Sequence, residues 1–357
     1  MTSAAAATSH MISPALQTAI DSYEAPRGFL AVASIGLPTR ETVAAQKADL
    51  DLWSAARRDP MDYDGVIART RGHYATLVGM SSDRIAMGSQ TSVLTSVVAA
   101  AVPDGAEVLS VDGDFSSIVF PFLQRPGIRV RTVALSELAG SIGDNTWLVV
   151  FSHVQSSTGV VADVAAILAS AARHKSFTLC DTTQSAGVHP VNAALFDATV
   201  CHTYKWLCAP RGVAFLTLSE RFERELTPVQ AGWYAGDQVW KSCYGPTMEL
   251  AADARRFDVS PAWPAWIGAE PAIRMFSELD IDEVWALGSG LGDALCDGLG
   301  IERQHQAIVT WADPDGHDLK KLVAAGITAS GRARRLRAAF HLWNDVTDVA
   351  AVVKALR

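Results

Sequence analysis

A lysine in an apolar stretch is the first residue of this sequence whose type and position could do chemistry. Lys205 stands between Tyr204 and Trp206 in CHTYKWLCAP, residues 201–210. A lysine stem can lie along apolar surface while its ammonium reaches water, which would make the residue structural. In a poorly hydrated pocket the amine would instead lose its charge and become a nucleophile able to form a Schiff base. The stretch by itself leaves both interpretations open.

Three further clusters could contribute to the same chemistry. In CDTTQSAG, Asp181 could cap a helix, or it could pair with a protonated heterocyclic nitrogen while Gln184 donates to a ring substituent. In MGSQTSV, residues 87–93, the small and hydroxylic side chains could cap a helix or close around a phosphate. In VDGDFSS, Phe115 could pack in a core or stack on a flat ligand.

The elements that would position these clusters alternate between strands and helices. Short β-rich apolar runs predict strands, and the stretches between them have the apolar spacing of helices. The predicted strands are 106–113, 146–154, 177–183, 198–204 and 212–218, and the clearest helices are 92–102 and 163–174. This alternation predicts a mostly parallel sheet covered by helices on both faces, with ligands bound at the carboxyl ends of the strands.

The pattern changes after about residue 227. PVQAGWYAGDQVWKSCYGP is rich in Gly, Pro and Trp, which predicts a long loop, and ordered loops of this length are usually functional. After about residue 262 the predicted order is two helices, a strand, a helix, a strand and a terminal helix. That order favours a smaller α+β domain.

Composition excludes several classes of partner. The chain has 357 residues, a net charge of −8 and no dense basic block other than GRARRLR at 331–337, so nucleic acid and anionic membranes are poor partners. Five cysteines without CxxC or zinc-like spacing predict reduced thiols in a cytoplasmic protein and no metal site. No apolar run approaches the roughly 18 residues of a membrane span. The Ala/Ser/Thr-rich start predicts a loose terminus rather than a signal peptide.

The joint order of these clusters resembles that of the class V aminotransferases, enzymes of fold type I that depend on pyridoxal 5′-phosphate (PLP). The resemblance covers essentially the whole chain. KWLCAPRG is most similar to the isopenicillin N epimerase-like subgroup, and TYK is similar to the kynureninase pattern. It implies an α/β fold with a large three-layer domain and a smaller α+β domain. The expected regions are an N-terminal segment 1–30 packing with the small domain, a PLP-binding domain 31–250 and a C-terminal domain 251–357.

The resemblance also implies how a bound cofactor would be held. Lys205 would form the Schiff base and later move the Cα proton. Asp181 would keep the pyridine nitrogen protonated, which makes the ring an electron sink. Gln184 would donate to the phenolic O3′, Thr183 would lie near one ring face, and Phe115 would stack on the other.

Phosphate binding is implied for residues on both sides of the lysine. Gln90 and Thr91 would contact the phosphate through backbone and hydroxyl groups, joined by Thr203 and Tyr204. RRFDVSPAW resembles the family's RFE-G-T segment. The threonine of that segment reaches the cofactor phosphate of the partner subunit, and Ser260 replaces it in this chain. A homodimer with shared active sites is therefore implied.

Five residues are implied in substrate binding. RAAFHLWN is similar to the family's R-x-S-F-x-x-Y-N strand, so Arg337 would clamp the α-carboxylate, with Arg332 as the competitor. Trp233 and Tyr234 would line the substrate pocket or merely pack in their loop. His153 lies in a segment similar to the family's SHV motif.

The reaction is left open among several that begin with loss of a Cα proton from an amino acid. Amino transfer and β-elimination by a carbon-sulfur lyase are favoured, with an epimerase or a kynureninase-like hydrolase as alternatives. A persulfide-forming desulfurase is disfavoured because no cysteine follows Cys296, and Cys208 and His202 are interpreted as structural. A different class, an inactive PLP- or nucleotide-binding protein, is opposed by Lys205, Asp181 and Arg337 occurring together.

Overall fold

A computed structural model describes residues 12–24 and 26–357, so the predicted loose terminus at 1–11 lies outside the described residues. The helices are α1 (Pro14–Asp21), α2 (Arg40–Ser54), α3 (Asp62–Leu77), α4 (Thr91–Ala101), α5 (Ser116–Leu123), α6 (Leu138–Ser141), α7 (Val164–His174), α8 (Glu220–Glu223), α9 (Trp263–Ser277), α10 (Ile281–Leu299), α11 (His317–Ala324) and α12 (Val346–Leu356). The strands are β1 (Ile85–Gly88), β2 (Glu107–Val111), β3 (Arg129–Val133), β4 (Thr146–Ser152), β5 (Phe177–Asp181), β6 (Ala198–His202), β7 (Ala214–Leu218), β8 (Ile308–Ala312), β9 (Ser330–Arg332) and β10 (Arg335–Ala339). Between α8 and α9 only short 3-10 turns occur, as expected for the long loop.

The larger sheet confirms the predicted α/β fold. Its seven strands are ordered β1-β7-β6-β5-β4-β2-β3. β7 is antiparallel to β1 and β6, whereas the other neighbouring pairs are parallel. Parallel strands all end at one edge of a sheet, so the residues that follow β2, β4, β5 and β6 are brought together there.

Apolar side chains cover both faces of this sheet. Leu94 and Val98 of α4 pack with Leu148 and Leu216 on one face, and all four are fully buried. On the other face, Ile167 of α7 packs in a cluster with strand residues of β2, β4 and β5. Burial of each such side chain contributes roughly 1.5–3 kcal/mol. The two apolar layers hold the strand ends in place.

The smaller C-terminal sheet has three antiparallel strands in the order β8-β10-β9. Helices α10 and α12 cover it through a core that includes Leu295, Phe340 and Val352. The mixed architecture of a large and a small sheet agrees with the predicted fold class. The predicted boundaries at residues 30 and 250 stay predictions.

A segment near the N-terminus, which includes a turn at residues 31–34, runs between the two sheets. Leu30 N–H donates to Thr328 O at 2.8 Å, and Ala339 N–H donates to Leu30 O at 2.9 Å. Further along, Gly36 N–H donates to Tyr204 O at 2.9 Å. A Cβ on Gly36 would lie 2.1 Å from the Lys205 carbonyl oxygen, so only glycine fits there. The segment therefore contacts the small sheet and the lysine turn at once.

Two general features bear on function. Across residues 12–24 and 26–357, no helix combines the length and hydropathy needed to cross a bilayer. The same residues contain no cluster of three or more His, Cys, Asp or Glu side chains suited to a metal ion.

Candidate active site

The chemistry-bearing residues meet at the carboxyl edge of the large sheet. Asp181 is the last residue of β5 and His202 is the last of β6. Lys205 follows three residues later, in the turn that contacts Gly36. One pocket is lined by residues from five segments of this edge: Gln90, Thr91, Ser92, Phe115, Ser117, Thr183, His202, Tyr204, Lys205 and Arg211.

Lys205 is buried, with only 6% of its surface exposed. Its Nζ atom lies 5.2 Å from the centroid of the Phe115 ring and 5.7 Å from that of Tyr204. Burial lowers the pKa of the ammonium to about 8, an effect that Asp181 opposes and two nearby arginines reinforce. The structural interpretation, in which the ammonium reaches water, is therefore wrong. The amine is poised to act as a nucleophile or base near neutral pH.

Asp181 is the carboxyl group whose negative charge favours the protonated form of the Lys205 amine. One of its oxygens accepts the Thr183 N–H at 2.8 Å. Burial raises the pKa of the carboxyl to about 6, although Thr183 and Lys205 both lower it. A buried carboxylate of this kind gains from a cationic partner such as a protonated ring nitrogen.

The start of α4 supplies a site for an anion. Gln90 precedes the helix and makes no side-chain cap; its Nε2 instead donates to Ser92 Oγ at 3.2 Å. Among residues 12–24 and 26–357, no side chain accepts from the first backbone N–H groups of α4 beside the pocket. An uncapped helix N-terminus binds phosphate through these groups and the helix dipole. The capping interpretation of Gln90 does not hold here.

His202 and Arg211 line the same pocket, although sequence reasoning treated the first as structural and overlooked the second. The centroid of the His202 ring lies 4.4 Å from that of Tyr204, and the Cζ atom of Arg211 lies over the Tyr204 ring, 4.8 Å from its centroid. His202 Nε2 is buried and has no hydrogen-bond partner in the described residues. Burial, with Arg211 and Lys205, lowers the pKa of His202 to about 4. A neutral imidazole and a guanidinium thus stand beside the anion site.

Phe115 is held by an aspartate that the sequence did not mark. Its N–H donates to Asp114 Oδ1 at 2.7 Å. The Asp114 carboxylate also accepts from Ser152 N–H and from Gln155 Nε2, at 2.9 and 3.0 Å. Asp114 therefore ties the Phe115 loop to the end of β4. The Phe115 ring is 37% exposed and covers the amine of Lys205.

Two residues that are expected to contact the cofactor make hydrogen bonds to other protein groups in this structure. Gln184 is buried, donates to Ala33 O at 3.0 Å and accepts from Trp206 Nε1 at 2.7 Å. Thr203 donates its hydroxyl proton to Val213 O at 2.9 Å. Their roles toward O3′ and phosphate stay predictions.

Arg337 lies in the middle of β10 and is 2% exposed. Its guanidinium donates to Ser330 Oγ at 3.0 Å, to Ser34 Oγ at 2.8 Å and to the Ser156 carbonyl. Burial, and then Arg332, lower its pKa to about 10. Because no carboxylate of the described residues pairs with this buried cation, it is suited to bind an anionic group of a ligand.

The remaining predicted residues lie outside the lining of the Lys205 pocket. His153 is buried next to His189. Burial, and then the charge of His189, lower the pKa of His153 to about 4. Tyr234 donates to Asp64 at 3.0 Å and its ring lies 5.1 Å from that of Trp233. Their substrate roles stay predictions.

Ser260 is exposed and lines a small cleft with Ser89, Gly88 and Gly212. The neighbouring Asp258 is buried and accepts from Arg71 and from the Met87 N–H. The contacts of Asp258 with Arg71 and Met87 hold the segment around Ser260 against β1. The contact of Ser260 with a partner subunit's cofactor also stays a prediction.

These features fit pyridoxal phosphate. A buried lysine with a lowered pKa is present, and so is a buried carboxyl that lacks a cationic hydrogen-bond partner in the described part of the chain. The uncapped helix start and the unpartnered His202 Nε2, which line one pocket, would bind the phosphate. Lys205, Asp181 and the start of α4 are thus suited to the aldehyde, the ring nitrogen and the phosphate of the cofactor.

Comparisons with known proteins agree with this geometry. The family profile described as Aminotransferase class-V matches residues 71–324. Isopenicillin N epimerase of Streptomyces clavuligerus is 27% identical over 329 residues, which is 83% of this chain and 80% of that protein. Kynureninase of Deinococcus radiodurans is 28% identical over 242 residues, 64% of this chain and 58% of that protein.

Solved structures share the fold. A complex between the cystine C-S lyase C-DES and its reaction product cysteine persulfide superimposes with a TM-score of 0.83 at 22% identity, covering 93% of this chain and 97% of that one. The profile match spans well over half of the sequence and includes Asp181 and Lys205. The chain therefore belongs to the class-V aminotransferase family and is a pyridoxal phosphate-dependent enzyme.

Proposed function

We propose that this enzyme removes the Cα proton of an α-amino acid and completes either amino transfer or β-elimination. The observation that carries the proposal is the buried amine of Lys205, whose pKa is lowered to about 8. General bases work best when their pKa lies near the working pH. Lys205 would take the proton from Cα. In amino transfer it would deliver a proton to another carbon, and in β-elimination the proton would go to the departing β-substituent.

The bound cofactor would supply an electron sink for the negative charge left at Cα. Asp181 would hold a proton on the ring nitrogen, since an ion pair there relieves the burial of its carboxylate. The free N–H groups of α4, with His202 Nε2 and Arg211, would hold the phosphate. Phe115 would cover the ring and exclude water from the amine.

Arg337 would bind the α-carboxylate of the substrate. Its planar guanidinium is fixed by Ser34 and Ser330, so a bound carboxylate would be held in one orientation. A fixed orientation decides which bond at Cα is aligned for cleavage. The same contacts would serve an amino donor in transfer or a substrate that loses a β-substituent.

We also propose a cytoplasmic homodimer that shares its active sites. The exposed position of Ser260, outside the lining of the Lys205 pocket of its own chain, would allow a contact to a second subunit. The five cysteines are all free, which suits a reducing compartment.

The test is hydrogen exchange at Cα together with product analysis. Holoenzyme in D₂O is incubated with a panel of amino acids, with and without a keto-acid acceptor. We expect deuterium at Cα, and we expect Lys205→Ala to abolish it while the exposed Lys320→Ala does not. Acceptor-dependent keto acid would indicate amino transfer, and ammonia without an acceptor would indicate elimination. Absence of both exchange and product with every amino acid would refute the proposal.

Epimerisation is a second candidate. It is favoured by the similarity to isopenicillin N epimerase over 83% of this chain. In the same incubation, recovery of the opposite enantiomer carrying deuterium, without keto acid or ammonia, would establish it instead.

A further inference from the structure

The β9–β10 hairpin presents several arginines toward one side. The register pairs Arg335 with Arg332 and Arg337 with Ser330. Directly opposed residues, and residues two apart along a strand, point to the same face of a sheet. Arg332, Arg335 and Arg337 therefore share one face. The turn between the strands consists of Ala333 and Arg334, both with positive φ, which sets the twist of the hairpin.

The guanidinium groups of the three arginines differ in their hydrogen-bond partners. Arg335 is engaged by Thr310, whose hydroxyl and carbonyl oxygens lie 3.0 and 3.1 Å from its Nη2. Arg337 is held by serines and the Ser156 carbonyl. Arg332 is exposed, and the only hydrogen bond of its guanidinium in the described residues goes to the neighbouring Gly331 carbonyl. Its guanidinium is thus available to a ligand.

Arg332 lies diagonally across from Arg337 on the same face of the hairpin, as the register of the two strands shows. Its charge lowers the pKa of Arg337, and it contributes to the lowered pKa of Lys205. No salt bridge in the described part of the chain neutralises Arg332 or Arg337. A protein with a net charge of −8 therefore concentrates unpaired cations at one place. Such an arrangement is stabilised when anionic ligand groups bind there.

One anionic group does not account for two guanidinium groups. Arg337 lies in mid-strand and is buried, whereas Arg332 lies at the end of β9 and is exposed. The α-carboxylate is common to all amino acids and fits the buried, fixed arginine. The exposed arginine, further toward the hairpin tip, is left for the variable end of the substrate.

We infer that Arg332 binds a second carboxylate, at the end of the substrate side chain, so that the preferred substrates are dicarboxylic α-amino acids. The inference rests on the proposed function, because it concerns the substrate of that reaction. Arg332 acts as a specificity residue: it discriminates a charged side chain from a neutral one of the same shape.

The experiment compares acids with their amides by spectral titration of the holoenzyme. The matched pairs are L-aspartate with L-asparagine and L-glutamate with L-glutamine, and L-2-aminoadipate is compared with L-norleucine. We expect at least one acid to bind tenfold or more tightly than its neutral counterpart. Arg332→Gln should remove that preference while leaving the affinity for the neutral member within about twofold, and Arg332→Lys should restore part of it.

Arg334→Gln is the matched control, since it removes the same charge from the same turn and should leave the preference intact. Equal affinities for acid and neutral members in the unmodified enzyme would overturn the inference, and this result requires no variant to fold. A preference that persists in Arg332→Gln would overturn it as well. Absence of a spectral response to every amino acid would instead refute the proposed function and the inference with it.

Discussion

The cofactor edge of the large sheet and the arginine hairpin of the small sheet both handle charge, but in different ways. At the cofactor edge, Lys205 and Asp181 are buried opposite charges whose pKa values are drawn toward neutrality. On the hairpin, Arg337 and Arg332 are like charges without an acidic partner among residues 12–24 and 26–357. The groups proposed to exchange protons thus lie at strand ends, and the groups proposed to bind anions lie on a short two-stranded hairpin.

The largest expected effect would come from neutralising the cofactor edge with Asp181→Asn. Turnover should fall by roughly a thousandfold or more, because the ring nitrogen would lose the group that keeps it charged. The cofactor-free protein should become more stable above pH 6, by up to about 3 kcal/mol, since a buried ionised carboxylate is removed. Steady-state kinetics and urea unfolding measure the two effects.

Asp112→Asn is the control, because this carboxylate is exposed after β2. Retention of full turnover in Asp181→Asn would show that the carboxylate has no role in the reaction. A loss of stability at pH 8 would show that its burial is compensated in the folded protein.

The hairpin is tested by Arg337→Gln. We expect amino-acid affinity to fall by about a hundredfold, since a charge-assisted bidentate contact is lost. The visible absorption of the bound cofactor should not change. Spectral titration measures the affinity, and Arg335→Gln, whose guanidinium is held by Thr310, serves as the control. An unaltered titration would assign the α-carboxylate to Arg332.

A smaller effect is expected from pH on covalent attachment of the cofactor to the cofactor-free protein. Only the neutral amine of Lys205 reacts, so the rate should rise about tenfold per pH unit and level off near pH 8. The same depressed pKa should make this form more stable as pH rises from 8 toward 10.5, because the unfolded chain then still holds the proton. Stopped-flow absorbance follows the rate. A rise that continues to about pH 10.5 would contradict a buried, perturbed amine.

The smallest effect concerns Cys208, which lies three residues after Lys205 and for which we propose no role in the reaction. Burial raises the pKa of its thiol to about 12. Cys208→Ala should leave turnover unchanged and cost about 1 kcal/mol of stability. In the native protein a thiol reagent should react first with the exposed Cys243. Rapid labelling of Cys208, identified by mass spectrometry, would reverse that assignment.

Sequence reasoning placed Lys205, Asp181 and Phe115 at one sheet edge because each follows a run that predicts a strand. It did not predict β1, which has only four residues, or β3, whose arginines interrupt any apolar run. Short edge strands depend on their neighbours more than on their own residues.

The missed site residues have a common cause. The position of Arg211 over Tyr204 depends on the path of the turn after β6, which no local pattern specifies. Asp114 bonds to Ser152, 38 residues away, so its role appears only when the strands are side by side. An aspartate directly before Phe115 was the available signal. Side-chain contacts between distant segments are what the sequence pattern lacks.

The segment from Leu30 to Gly36 also affects the order in which the protein can be completed during synthesis. Its hydrogen-bond partners are Tyr204, Thr328 and Ala339, all of which are synthesised after it. Thr328 and Ala339 also follow the lysine turn by a long stretch of sequence. We expect ribosome-bound chains that stop before Thr328 to bind the cofactor less well than chains that extend past Ala339.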